Sequence, residues 1–239
     1  MSVLALVGID APNKIKKSIT ARGFEIFELA RDERLPSPIA SHADTLMFKL
    51  EDKIFVSRTY FKENRTLFAE LEKRGCCIIP CERELGGEYP EDIAFNVATV
   101  GRYAFGRFDF VADEIKRELI GRGYEPVDVK QGYAKCSVCP VDAKSAISAD
   151  MSFYKRATAD GVEVLLITNE GIRLDGFANG FFGGCSYMTD KGSLKVKGDI
   201  TTLPQYEKIQ KFLAKRGISV GKGNGEVIDF GSFIPRVEE

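Results

Sequence analysis

Apolar residues recur at three- and four-residue spacing in five stretches of this chain, and each stretch ends at a glycine followed by a short apolar run. Ile15 and Ile19 precede Gly23 and Phe24–Leu29. Leu67, Phe68 and Leu71 precede Gly75 and the run 76–80. Ile115, Leu119 and Ile120 precede Gly123 and a run to Val129. Tyr154 and Ala157 precede Gly161 and 162–167, and Tyr206, Ile209, Phe212 and Leu213 precede Gly217 and 218–220. The spacing predicts five amphipathic helices. The glycine predicts each stop, because it enters the left-handed conformation after a helix without a Cβ penalty. Arg22, Arg74, Arg122 and Arg216 stand directly before four of the five glycines, where a cation favours the negative end of the helix dipole.

Between one unit's last run and the next unit's helix lie two extended runs joined by a turn. Residues 44–50 and 53–57 flank Glu51-Asp52, and 185–188 and 193–197 flank 189–192. Turn residues between alternating runs predict a hairpin, so the unit is ββαβ, repeated five times over the whole length. After Gly225 one run remains, 226–230, and the N-terminal 3–7 is its expected hairpin partner. The chain is therefore expected to be one α/β domain spanning 1–239, its last unit built from 225–239 together with 1–30. Closure by both ends leaves no bare sheet edge.

The chain has 239 residues, of which 44% are hydrophobic and 29% charged, a composition of globular proteins that need no disulfide staples. The 34 basic and 35 acidic side chains nearly cancel, so the molecule as a whole has no field to attract nucleic acid or an anionic membrane. No apolar run approaches the ~20 residues that span a bilayer, and the apolar N-terminus has no basic segment before it. A cytoplasmic protein with reduced cysteines is expected. Cys76, Cys77 and Cys81 sit in an apolar stretch and read as core. Cys136 and Cys139 have CxxC spacing, but no second pair completes a tetrahedral zinc site, so neither metal nor other cofactor is expected.

A closed ring of five ββαβ units over this length resembles the pentein fold, a five-bladed β/α-propeller around a central pore. More narrowly, the sequence resembles an uncharacterised bacterial family of that fold. The pentein fold is shared by arginine and agmatine deiminases, dimethylarginine dimethylaminohydrolase and glycine amidinotransferase, and by the ribosome anti-association factors, which have no catalytic apparatus. The resemblance implies that blade starts line the pore, here Ser41-His42-Ala43-Asp44, Phe95-Asn96-Val97, Lys135-Cys136-Ser137, Gly184-Cys185-Ser186 and Gly225-Glu226-Val227. His42-Ala43-Asp44 resembles the HxD of the deiminases, with histidine as acid/base and aspartate as guanidinium clamp. On a strand the two would share a face. Glu226 and Asp229 resemble the acidic ExxD strand of the preceding blade. Cys136, two blades beyond His42, takes the nucleophile's place. A register one residue off would put Lys135 there, and Cys185 is the second candidate.

A thiolate suits attack on a guanidinium carbon, a neighbouring imidazolium favours that thiolate, and carboxylates hold a planar cation by bidentate hydrogen bonds. The implied partner is a small cationic guanidino or amidino molecule, met by a hydrolase or amidinotransferase. The alternative is a non-catalytic propeller used for binding. Asn96 reads as polar pore lining. The glycine-rich Gly221-Lys222-Gly223-Asn224-Gly225 leads into a strand instead of a helix, so it reads as a turn and not as a phosphate loop. The stretch 169–184, rich in Gly and Phe, reads as a lid or a packed surface loop, and the Lys and Arg residues of the five helices as solvated.

Overall fold

The computed structural model describes residues 3–189, 192–221, 223–232 and 234–236. Asp190 and Lys191 of the expected turn at 189–192, and Lys222 of the glycine run, lie outside them. The chain runs β1 (Val3–Gly8), α1 (Asn13–Thr20), β2 (Phe24–Leu29), α2 (Ala43–Leu46), β3 (Met47–Leu50), β4 (Lys53–Ser57), α3 (Arg58–Glu63), α4 (Arg65–Lys73) and β5 (Cys77–Cys81). It continues through β6 (Ala98–Val100), β7 (Tyr103–Gly106), α5 (Asp113–Gly121), β8 (Glu125–Asp128), α6 (Ala134–Ser137), β9 (Val138–Asp142), β10 (Ser145–Ser148), α7 (Met151–Ala159) and β11 (Glu163–Leu166). The remainder is β12 (Ile172–Arg173), α8 (Phe182–Cys185), β13 (Ser186–Thr189), β14 (Ser193–Val196), α9 (Tyr206–Ala214), β15 (Ser219–Gly221), β16 (Val227–Ile228) and β17 (Ile234–Arg236).

Among the described residues five three-stranded sheets share one plan: β17–β1–β2, β3–β4–β5, β6–β7–β8, β9–β10–β11 and β13–β14–β15. In each, the first strand is antiparallel to the second and the second parallel to the third. The parallel step needs a crossover, and α1, α4, α5, α7 and α9 supply it. All five stop glycines have positive φ, between 68° and 88°. A Cβ at Gly23, Gly123, Gly161 or Gly217 would meet nothing within 4 Å, so conformation and not space demands glycine there. The stripes are buried as expected, except that Leu67, Tyr154 and Tyr206 are half-buried and Ile120 is exposed on the outer face of α5.

One strand assignment is corrected. The antiparallel partner of β1 is β17, with Leu4, Ala5 and Leu6 opposite 236, 235 and 234, whereas the run 226–230 holds β16, which pairs in parallel with β12. An apolar alternation specifies a strand and a buried face but names no partner. Gly225 and Gly231, at φ +81° and +74°, turn the chain on either side of β16 and send it to a different neighbour.

Aromatic side chains fill the core between sheets: Phe105 of β7 meets Phe153 of α7 edge to face at 4.8 Å, both fully buried. The arginines at the helix ends are not simply solvated. Arg74 donates to Glu25 of β2 at 2.8 Å, Arg122 to Glu51 in the β3–β4 turn, and Arg216 to Glu163 of β11. Arg22 donates to the Tyr187 hydroxyl on β13. Each joins its own sheet to the one before it, and Arg22 joins the first to the last. Exposed pairs of this kind contribute about 0–1 kcal/mol each, so they orient neighbours more than they hold them. Among the described residues no helix is long and apolar enough to cross a membrane.

Three one-turn helices, α2, α6 and α8, stand at the starts of β3, β9 and β13. α6 touches both α2 and α8. This contact gathers the candidate residues.

Candidate functional site

His42 is the N-cap of α2 and Asp44 lies in its first turn. Cys136 sits in α6 and Cys185 ends α8. Asn96 precedes β6 and Asp229 follows β16. All six are buried, His42 the least at 7% exposure. Three of the five expected strand starts are therefore helical turns; at the first the Thr45 and Leu46 amides both return to the His42 carbonyl, at 3.1 and 2.9 Å. Residues two apart on a helix do not face each other. Accordingly His42 lines a cavity of about 320 Å³ with Asp10, Arg31, Arg173 and Asp229, while Asp44 lines another of about 230 Å³ with Phe95, Lys135 and Ser232.

Asn96 ties the turns together. Its Nδ2 donates to the Asp44 carbonyl at 2.8 Å and to Cys136 Sγ at 3.0 Å. Its Oδ1 accepts from the amides of Lys135 at 2.6 Å and Cys136 at 3.3 Å. The Lys135 side chain goes instead to the smaller cavity, and Cys136 is the one of the two whose side chain meets Asn96. Asp229 accepts from the Phe181 amide at 2.8 Å and from the Gly231 amide at 3.0 Å. Gly231 also accepts the Asp44 amide, at 3.2 Å. Cys185 Sγ donates to the Phe182 carbonyl at 3.3 Å.

Glycine makes this approach possible. A Cβ at Gly184 would stand 2.0 Å from Asp229 Oδ1, one at Gly180 2.4 Å from Asp229 Cβ, and one at Gly231 2.3 Å from the His42 side chain. At Gly183 it would strike the backbone oxygens of Lys135 and Cys136 in α6 and of Val138 at the start of β9. The stretch 169–184 is thus packed at Gly180, Gly183 and Gly184, while 175–179, with Gly176 in it, is exposed throughout. Its Gly-Gly pair was the one sequence signal for this contact. Ser232, buried at φ +60°, carried none.

The electrostatics are those of buried acids beside buried thiols. Burial first, then Asp44 and Asp229, pushes the Cys136 thiol well above its ordinary value. Burial, then Asp229, does the same at Cys185. Asp229 is itself raised, chiefly by burial and further by Asp44, against the opposing charge of His42. Among the described residues neither carboxylate oxygen of Asp44 has a hydrogen-bond partner, and a buried carboxylate so placed carries an unmet demand for a donor or a cation.

Glu226 is not brought to this cluster. Its exposed carboxylate pairs with Arg173 at 2.8 Å. It precedes the two-residue β16 and Asp229 follows it, so the two acids leave a short, turning segment in different directions.

The chain superimposes on dimethylarginine dimethylaminohydrolase from Pseudomonas aeruginosa, complexed with citrulline, at TM-score 0.57 and 13% identity, covering 94% of this chain and 92% of that one. The amidinotransferase SxtG of saxitoxin biosynthesis in Microseira wollei gives TM-score 0.59 at 11% identity, over 93% and 78% of the two chains. The N-terminal domain of the cyanobacterial arginine dihydrolase ArgZ, bound to product, gives 0.58 at 10% identity, over 94% and 91%. The fold is therefore the mixed α/β fold of the penteins. No curated protein matches the chain. Residues 6–234 match the model of DUF6873, described as a family of unknown function, and the chain belongs to that family.

Proposed function

We propose that the five sheets close into a single five-bladed β/α-propeller domain and that the cluster at its centre binds a small guanidino or amidino compound, which Cys136 attacks at the central carbon. Closure is supported by the β1–β17 pairing and by the arginines that link four of the five sheets to their predecessors, the first to the last included. The observation that carries the site is the unpartnered, buried carboxylate of Asp44 beside a cysteine held by Asn96. A planar cation with several N–H donors answers both that carboxylate and Asp229 by charge-assisted hydrogen bonds. Its positive charge also offsets the two acids that hold the thiol protonated.

In the reaction so read, the Cys136 proton passes to His42 and the sulfur bonds to the guanidino carbon. The C–N bond to the leaving amine breaks, and His42 delivers the proton that amine needs. The amidino group left on sulfur passes to water in a hydrolase or to an acceptor amine in a transferase, which restores the thiol. Asp44 and Asp229 hold the cation, Asn96 orients the sulfur, and Cys185 is the reserve thiol. The neighbours named above, among them enzymes crystallised with citrulline or with product, belong to both reaction classes and support the reading at the level of class.

A non-catalytic propeller that only binds such a ligand is the second reading, favoured by the raised values of both thiols and by the absence of Glu226 from the cluster. Incubation with arginine, agmatine, methylated arginines and peptidyl-arginine separates the two. The enzyme reading expects citrulline-type product or released amine, lost in Cys136→Ser. Saturable binding without turnover on any of them would leave the binding reading in its place.

A further inference from the structure

A second cavity, about 350 Å³, lies between α1, the β14 strand and the glycine run after β15. Lys14, Arg22, Lys195 and Lys197 all line it, with the Ser18 hydroxyl among them. Among the described residues none of these four cations forms an ion pair, and the one carboxylate on the wall, Glu226, is taken by Arg173. Lys197 is only 6% exposed. Its Nζ reaches Ser18 Oγ at 3.5 Å and the Tyr187 ring at 5.8 Å. A buried ammonium without a counter-charge is costly. Burial and the neighbouring Arg22 accordingly pull the Lys197 ammonium down to about 8.

The remaining wall is bare backbone. A Cβ at Gly223 would stand 2.0 Å from the Gly198 oxygen, and one at Gly198, at φ +119°, 2.2 Å from the Glu226 oxygen. Glycine is therefore required for these segments to meet. Gly221 lets Lys195 lie against it, since a Cβ there would be 2.8 Å from its Nζ. Lys14 donates to the Asn224 carbonyl at 3.2 Å, which anchors α1 to the run. Among the described residues the amides of Gly223, Asn224 and Gly225 donate to no backbone carbonyl.

We infer that this cavity is a binding site for the phosphate group of a small phosphorylated molecule. Four converging cations over-match a single carboxylate, whereas a phosphate brings about two charges and three acceptor oxygens to Arg and Lys donors. The volume is in the range of small-ligand sites. The near-neutral charge of the whole chain hides the patch, because the compensating acids lie elsewhere. The glycine run so acquires a role without heading a helix: it supplies the close wall, and the lysines and arginine supply the charge.

Calorimetry on the full chain at fixed ionic strength tests this, with inorganic phosphate, pyrophosphate and a nucleoside triphosphate as probes and acetate and chloride as controls. Saturable one-site binding is expected for the phosphates and not for the controls, with pyrophosphate tighter than phosphate. A triphosphate tighter than pyrophosphate would mean that its third phosphate or its nucleoside is held too; equal affinity would mean that two phosphates suffice. Lys197→Met should weaken binding at least tenfold, and Lys195→Gln, which leaves the interior unchanged, should weaken it in the same direction. No saturable binding, equal binding of chloride, or wild-type affinity in both variants would overturn the assignment.

Discussion

At the scale of single residues, the account rests on acids held where water does not reach them. Asp229 is raised above the ordinary carboxylate range by burial and by Asp44, so the folded chain binds its proton more tightly than the unfolded chain does. The stability this contributes is complete below the unfolded value, about 3.9, and is lost as pH rises through the raised folded value. Asp229→Asn removes that dependence. The melting-temperature difference between variant and wild type should shift in the variant's favour as pH rises across that window, then level off. A difference that stays flat across it would show Asp229 to be ionised normally in the fold. The residues of this cluster were reached in the sequence through the resemblance: His42 and Asp44 as an HxD, Asp229 as the end of an ExxD, and Asn96 and Cys136 at the blade starts that the resemblance implies line a pore. Glu226 misled because three residues' separation from Asp229 says nothing about a strand that lasts only two.

At the scale of elements, the five helix–glycine–strand units could be read directly, since a stop glycine and a 3.6-residue stripe are local signals. The one-turn helices α2, α6 and α8 could not, because four residues are too few to show a period. Their form decides which cavity each side chain enters. Two glycine substitutions separate the two uses of the residue. Gly123→Ala meets open space and pays only for its left-handed conformation, roughly 1–2 kcal/mol. Gly184→Ala puts a Cβ 2.0 Å from Asp229 Oδ1 and should cost about 1–3 kcal/mol by overpacking, with ligand binding at the cluster lost as well. Denaturant unfolding of both variants, with binding of a guanidino ligand as the second readout, checks this. If Gly184→Ala bound as wild type, the packing of α8 on Asp229 would be irrelevant to the site.

At the scale of the whole molecule, the sequence identified the ends of the chain as partners but chose the wrong C-terminal segment, for the reason that alternation fixes a face and no neighbour. The antiparallel partner of β1 is β17, three residues long and paired to buried Leu4, Ala5 and Leu6. A chain ending at Ser232 keeps every residue of the cluster yet leaves β1 as an open edge with one neighbour. It should melt broadly and at a markedly lower temperature by circular dichroism, because a two-stranded remnant is marginal alone. A sharp transition within a few degrees of the full-length chain would mean that the β1–β17 pairing contributes little. The arginines that step from sheet to sheet were visible in the sequence only as helix-end charges. Their partners Glu25, Glu51, Glu163 and Tyr187 lie in other units, at distances along the chain that no local pattern reveals.

The central claim is that Cys136 is chemically addressed by a cation bound to Asp44 and Asp229. Its most direct test is the alkylation rate of Cys136 near neutral pH by chloroacetamidine, set against neutral chloroacetamide and read residue by residue by mass spectrometry. The thiol is held protonated by burial and the two acids, so the neutral reagent should react more slowly than it does with free cysteine. The amidine should react at least tenfold faster than the amide, a difference of about 1.4 kcal/mol, and Asp44→Asn and His42→Ala should each abolish that preference. Equal rates for the two reagents, or modification of Cys185 in place of Cys136, would contradict the account.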